Sequence, residues 1–403
     1  MKKPFGVSKT VFVLGIVSFL TDISSEMLVP VVPQFLAFVI GASTLNIGLI
    51  EGIAESTASL LRVWAGYLAD KTGRPKLLAV IGYGLSALTK PLFIVAGSWP
   101  QVLGIRFADR FGKGVRSAPR DVLIADATED ASRGRAFGFH RAMDTAGAAI
   151  GPLVVIGLVY LVVGCAGPAC LGQVDRRVYT LVFVAASVPA VLGWIVLTAF
   201  VRERARTDRE AKKPEIRLSA LDKRFRAFLA IVTLFAIGNS SDAFLVLRAT
   251  REPIGMGFVD FLWVYVAFNA FSALLSYRSG ILSDRIGRKP VIIAGWLVFA
   301  AVYFAMARVT TPAGVWVWFV IYGAYSGMTE GTLRAFAVDL APAQLRGTAV
   351  GAYYTFTGAA LLPASLIAGL LWDSLGASAP FYYGSATALV SAALLAGLVK
   401  SNR

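Results

Sequence analysis

Long apolar runs broken by short polar punctuation dominate this chain. Runs of roughly 20 mostly apolar residues recur about every 30 to 35 positions, and that length lets a helix cross a hydrocarbon core. Their starts fall near Val11, Leu45, Leu77, Gln101, Gly134, Tyr179, Phe228, Phe258, Val291, Val315, Gly347 and Pro380, which makes about twelve spans. Gly97-Ser98-Trp99-Pro100 and Thr310-Thr311-Pro312-Ala313-Gly314 are examples of the punctuation. The runs are too long and too continuous for the alternating strands of a membrane barrel. The pattern predicts an all-α integral membrane protein. The first run is too long for the apolar core of a cleaved leader. It also carries Asp22 and Glu26 and lacks a small-residue cleavage signature, so it reads as the first span.

Composition narrows the class. The chain of 403 residues is 57% hydrophobic and 16% charged, where a soluble domain is closer to half apolar and about a quarter charged. A soluble enzyme and a disordered chain are both excluded. Lys and Arg number 39 against 24 Asp and Glu, a net charge of +15. In a soluble chain that excess would point to nucleic acid. Here it points to loops facing an anionic cytoplasmic leaflet. With the amino terminus inside, Lys2, Lys3, Lys9, Lys71, Arg74, Lys76, the stretch from Arg202 to Arg226, Arg285, Arg288, Lys289, Lys400 and Arg403 are cytoplasmic. Only Arg176, Arg177, Arg248, Arg251 and Arg308 fall outside, a bias of about fourfold. The expectation is a multi-pass protein of the inner (cytoplasmic) membrane with both termini cytoplasmic. Its partners are the lipid bilayer and a small-molecule substrate, with no nucleic acid, and it acts as a monomer. Cys165 and Cys170 flank a turn-like Ala-Gly-Pro-Ala in an outside loop, where a small disulfide and two free thiols are equal readings.

The two halves of the chain echo each other. Gly66-Tyr67-Leu68-Ala69-Asp70-Lys71-Thr72-Gly73-Arg74 matches Gly280-Ile281-Leu282-Ser283-Asp284-Arg285-Ile286-Gly287-Arg288, with Gly, Leu, Asp, Gly and Arg in register. Each copy follows the second span of its half. Ser24-Ser25-Glu26 parallels Ser240-Ser241-Asp242, and Arg133-Gly134 parallels Arg346-Gly347. Such repeats, with a site between them at mid-membrane, are how many secondary transporters are built. The expected organisation is a six-helix bundle over residues 1–201, a charged cytoplasmic linker over 202–226, and a second six-helix bundle over 227–403.

These motifs resemble the major facilitator superfamily over essentially the whole chain. Gly66–Arg74 is similar to that family's loop motif between its second and third helices, and Gly280–Arg288 to the second-half copy. Arg110-Phe-Gly-Lys-Gly114 resembles its Arg-x-x-(Gln)-Gly motif, with Lys113 in the Gln place. Gly147-Ala-Ala-Ile-Gly151-Pro152 resembles the Gly-x-x-x-Gly-Pro antiporter motif of its fifth helix, with looser flanking glycine spacing. The resemblance implies two pseudo-symmetric bundles and a gating role for Gly66, Asp70, Gly73, Arg74, Asp284 and Arg288. Asp121 is the expected partner of Arg74. It also implies a flexible, closely packed fifth span at Gly147, Gly151 and Pro152.

Ionisable groups inside a bilayer cost roughly 2.5 to 3.5 kcal/mol each at a helix centre, so they face a wet cavity or each other. Asp22 and Glu26 share one face of the first span, and Glu51, Glu55 and Arg62 one face of the second. The fourth span carries Arg106, Arg110 and Lys113 with Asp109 beside them. The fifth carries His140, Arg141 and Asp144, the seventh Asp242, and the tenth Glu330 and Arg334. Three roles compete: interhelical salt bridges, proton carriage and substrate binding. Glu26, then Asp144 and Asp22, with Asp242 in the pseudo-symmetric place, are the proton-coupling candidates. Arg110, Arg141, Arg106 and Tyr353 are the substrate-cavity candidates, since guanidinium suits carboxylate or phosphate.

The expected function is secondary active transport of a small solute by alternating access, preferably as proton-coupled export. A proton symporter or facilitator importing a polar or anionic metabolite is the alternative, and a membrane-embedded enzyme or sensor a distant one. No cofactor is expected beyond the proton gradient. There is no phosphate loop for ATP, and one histidine gives no metal pattern.

Overall fold

The structure is a computed structural model, and it describes residues 6–129, 132–163, 174–203, 222–341 and 345–399. The side chains of Asp70, Arg133, Gly134, Tyr277, Arg346 and Gly347 lie outside that description, as do Cys165, Cys170 and residues 204–221 of the expected linker. The described elements are helical: α1 (Lys9–Leu28), α2 (Val32–Gln34), α3 (Thr44–Thr72), α4 (Pro75–Leu92), α5 (Trp99–Asp126), α6 (Arg133–Val163), α7 (Arg176–Phe200), α8 (Lys223–Gly238), α9 (Ala243–Thr250), α10 (Phe258–Ile286), α11 (Arg288–Arg308), α12 (Pro312–Asp339), α13 (Arg346–Leu375) and α14 (Ala379–Leu398). Each of the twelve predicted starts lies in its own long helix. Among the described residues, nine helical segments are long and apolar enough to cross a membrane. The three long helices outside that set are α3, α5 and α12, which carry Glu51 and Glu55, the Arg106–Arg120 series, and Glu330 with Arg334.

Two spans are broken. The first stops at Leu28, turns at Pro30, and resumes as α2 and a five-residue π-helical stretch, Phe35–Val39. Pro30 and Pro33 remove two backbone donors there. The seventh breaks between α8 and α9 at Asn239-Ser240-Ser241-Asp242, four polar residues that can satisfy their own backbone. Side-chain caps mark several helix starts. Ser8 accepts from Val11 N–H, Asp222 from Phe225 N–H at 2.7 Å, and Thr311 from Gly314 N–H.

The chain divides into two compact units. In the first, α1 packs on α6 and α7, while α4 packs on α5 and α7. In the second, α8 packs on α13 and α14, while α11 packs on α12 and α14. The same pairing therefore recurs in both units, which is the repeat seen in the sequence expressed as packing. Helix α3 is shared: Gly41–Ser56 belongs with the second unit, and residues 57–72 belong with the first.

The repeated motif forms the same turn twice. Gly73 sits between α3 and α4 with φ +62°, and Gly287 between α10 and α11 with φ +93°. A side chain is strained at such φ, so the spacing of these glycines is set by the backbone. The other motif glycine behaves differently in each copy. A Cβ at Gly66 would meet Ala118 of α5 at 3.4 Å, whereas one at Gly280 would meet nothing within 4 Å.

The shared stretch of α3 lies on α13 along small residues. A Cβ at Gly48 would fall 2.4 Å from the Ser365 carbonyl, and one at Gly369 would fall 2.7 Å from the Leu45 Cα. Ser56, two turns beyond Gly48, donates to the Gly358 carbonyl at 2.8 Å and accepts from Leu362 N–H at 3.0 Å. Those two groups are ordinary i, i+4 helix partners, so the hydroxyl sits astride a rung of the α13 ladder. Asp373 accepts from Leu45 N–H at 3.0 Å at the start of α3, and Arg251 donates to Thr44 at 2.8 Å.

Candidate functional site

The first unit holds a charged seam where α1, α5 and α6 meet. Its floor is the α1–α6 contact. A Cβ at Gly147 would lie 2.5 Å from the Phe19 carbonyl and 3.1 Å from the Asp22 Cβ. One at Gly151 would lie 2.8 Å from the Ile23 carbonyl and 2.9 Å from the Glu26 Cβ. Only glycine permits this approach, and Pro152 follows it inside α6. The motif glycines thus place α6 backbone directly against the two acids of α1. Asp22 and Glu26 are both half-buried.

Towards the start of each helix from that contact, Ser18 of α1 meets His140 of α6. Ser18 Oγ is 2.6 Å from His140 Nε2, and His140 Nδ1 is 3.5 Å from Asp144 Oδ2. The ring is buried. The charges that act on Asp22 are Asp144, Glu26, Lys113 and Arg116, so all three helices contribute. Arg141 is exposed on α6.

Behind the seam, α4 and α5 enclose an ion pair that sequence reasoning missed. Lys90 Nζ is 3.0 Å from Asp109 Oδ1, with side chains 2% and 6% exposed. Gly82 and Gly112 allow the approach, since a Cβ on either would lie 2.6 Å from the other's carbonyl oxygen. Arg106, Arg110 and Arg116 also act on Asp109 and are themselves buried. The Arg116 guanidinium lies 4.5 Å from the centre of the Tyr83 ring.

Arg288 pairs with Asp284 at 3.4 Å and with Asp339 at the end of α12. In the first repeat Asp121 is paired with its neighbour Arg120 at 2.9 Å, and Arg74 is exposed. Asp126, the last residue of α5, stands where Asp339 stands in α12. Aligning the two repeats would have singled out that pair. Asp242 lies in the α8–α9 break and accepts from Tyr322 O–H at 2.8 Å, and Asn239 of the same break donates to Tyr325 at 3.0 Å. Tyr322 and Tyr325 are stacked on each other and packed with Phe299 and Tyr303. Tyr353 is half-buried on α13, edge-on to Tyr354, which accepts from Arg334.

The Major Facilitator Superfamily model matches residues 14–365 and, a second time, 229–403. The chain belongs to the major facilitator superfamily. An uncharacterized MFS-type transporter of Methanocaldococcus jannaschii is 34% identical over 396 residues, covering 96% of this chain and 94% of that one. The quinolone resistance protein NorA of Staphylococcus aureus is 22% identical over 401 residues, 96% of each chain. The crystal structure of the nucleoside transporter NupG shares the fold at a TM-score of 0.75 and 13% identity, covering 98% of this chain and 100% of that one. The chain is a multi-pass membrane transporter of small solutes and not an enzyme.

Proposed function

We propose that the chain is a proton-coupled exporter of a small solute in the cytoplasmic membrane. It works by alternating access, as a monomer, with both termini in the cytoplasm. The observation that carries this reading is the seating of α6 on α1 at Gly147 and Gly151, against Asp22 and Glu26. Carboxylates at so close a helix contact feel any relative movement of the two helices, which is what coupling a proton to a conformational change requires. Asp22, Glu26 and Asp144 carry the proton, with Asp242 as the second-unit counterpart. Arg110, Arg141, Arg106 and Tyr353 contact the solute. The turns holding Asp70, Gly73 and Arg74, and Asp284, Gly287 and Arg288, gate the cycle. Export is supported by the Gly-x-x-x-Gly-Pro pattern of α6 and by a relative named for quinolone resistance.

One observation favours import of an anionic metabolite as the second reading. Four buried bases, Lys90, Arg106, Arg110 and Arg116, gather at Asp109, and guanidinium suits carboxylate or phosphate. A thermal-shift screen against metabolites and antibiotics selects the solute. Proteoliposomes carrying an internal pH dye then report whether it moves with protons and in which sense. Counter-movement supports export and co-movement supports the second reading. Solute flux without proton flux refutes both.

A further inference from the structure

We propose that His140, clamped by Ser18, is a positioning residue that holds Asp144 against the coupling acids of α1. The inference rests on the proton-coupled reading above and names a residue pair which that reading leaves unused.

A neutral imidazole has one donor and one acceptor nitrogen. Nε2 is 2.6 Å from Ser18 Oγ, and Nδ1 faces the Asp144 carboxylate at 3.5 Å. Were the ring proton on Nε2, the Nδ1 lone pair would point at a carboxylate oxygen, and the two would repel. With the proton on Nδ1, the Ser18 hydroxyl donates to Nε2 and the N–H dipole points at the carboxylate 3.5 Å away, so both contacts are favourable. The carboxylate thus fixes the tautomer, and Ser18, which also hydrogen-bonds Asp144, holds ring and acid together. His140 and Asp144 are one turn apart on α6, and Gly147, the next residue along that face, touches Asp22. Asp144 is thereby held at the α1 acids rather than left to swing among rotamers. Its second oxygen, Oδ1, is buried and takes no hydrogen bond among the described residues, which leaves it to receive a proton.

The charged groups around this cluster come from three helices. Asp22 and Glu26 come from α1. Lys113, Arg116, Arg120 and Asp121 come from α5, and Arg141 comes from α6. Arg120 and Arg141 bring positive charge to this cluster.

The chain has a single histidine, so nitrogen-15 histidine labelling gives a one-residue spectrum from the full chain in lipid nanodiscs, purified through a histidine-free tag. The expected spectrum is one neutral tautomer, protonated on Nδ1, in at least about tenfold excess, as the attraction of an N–H dipole for a carboxylate oxygen at 3.5 Å sustains in a low-dielectric site. Asp144→Asn should bring the two tautomers to comparable amounts, whereas Glu26→Gln should leave the spectrum alone. A ring protonated on Nε2, or a spectrum indifferent to Asp144→Asn, overturns the proposal. A purely packing histidine is told apart by the pH dependence of the thermal midpoint. His140→Gln should remove part of the dependence lost in Asp144→Asn, and the double variant should lose no more than Asp144→Asn alone. Additive losses overturn the positioning role. If Glu26→Gln leaves proton flux intact, the coupling reading fails while the tautomer result stands.

Discussion

Replacing Gly147 with alanine tests the α1–α6 seam directly. The added Cβ would lie 2.5 Å from the Phe19 carbonyl, about 0.9 Å short of the 3.4 Å at which ordinary contact begins. The neighbouring atoms are backbone and a Cβ, not the far end of a flexible side chain, so the helices themselves must part. Overpacking of this kind costs about 1–3 kcal/mol, against a helix-propensity gain of up to about 1 kcal/mol for Gly→Ala. The expected net loss is about 1–2 kcal/mol. Gly151→Ala, with its Cβ 2.8 Å from the Ile23 carbonyl, should lose somewhat less. Gly138 and Gly157 lie in the same helix with nothing within 4 Å of an added Cβ. Their alanine variants should be neutral or slightly stabilised. The assay is the thermal midpoint of the purified chain in lipid nanodiscs, read by tryptophan fluorescence. The reasoning is refuted if Gly147→Ala melts with Gly138→Ala and Gly157→Ala rather than below them.

The buried Lys90–Asp109 pair should respond asymmetrically. Asp109→Leu should cost about 3–5 kcal/mol by stranding Lys90, and Lys90→Met should cost less because Arg106, Arg110 and Arg116 still act on Asp109; equal losses would contradict that arrangement. Ser56→Ala should remove both contacts to α13 and raise hydrogen exchange at the Leu362 amide. Unchanged exchange there would place the hydroxyl outside the ladder. Asp70→Asn should slow solute turnover several-fold without loss of folded protein, and wild-type turnover would remove the motif's gating role.

Much of the fold could be read along the chain because one-dimensional pattern is enough for it. Apolar run length located each span, and the Gly73 and Gly287 turns were legible because a positive φ is a local demand that only glycine meets cheaply. The recurrence of helix pairing in the two units followed from the same repeat. Partners across helices were less legible. Periodicity says that Asp22 and Glu26 share a face, but not that α6 lies on that face with its glycines against them. Lys90 lies before a proline at the end of an apolar run, where lysines commonly snorkel, so nothing marked it as a buried partner of Asp109. Ser18 and Ser56 look like any small polar residue of a membrane helix. Their roles exist only in the company of His140 and of the α13 ladder. Asp121, the expected partner of Arg74, pairs with its own neighbour Arg120, a contact that no pattern along the chain announces.

The central claim is that carboxylates on the α1–α6 seam couple a proton to solute movement. Proteoliposomes with an internal pH dye, given a solute that binds in the thermal-shift screen, measure proton flux and labelled-solute counterflow on one preparation. The account predicts that Glu26→Gln and Asp22→Asn abolish solute-driven proton flux while counterflow continues. Proton flux at the wild-type rate in both variants would contradict it.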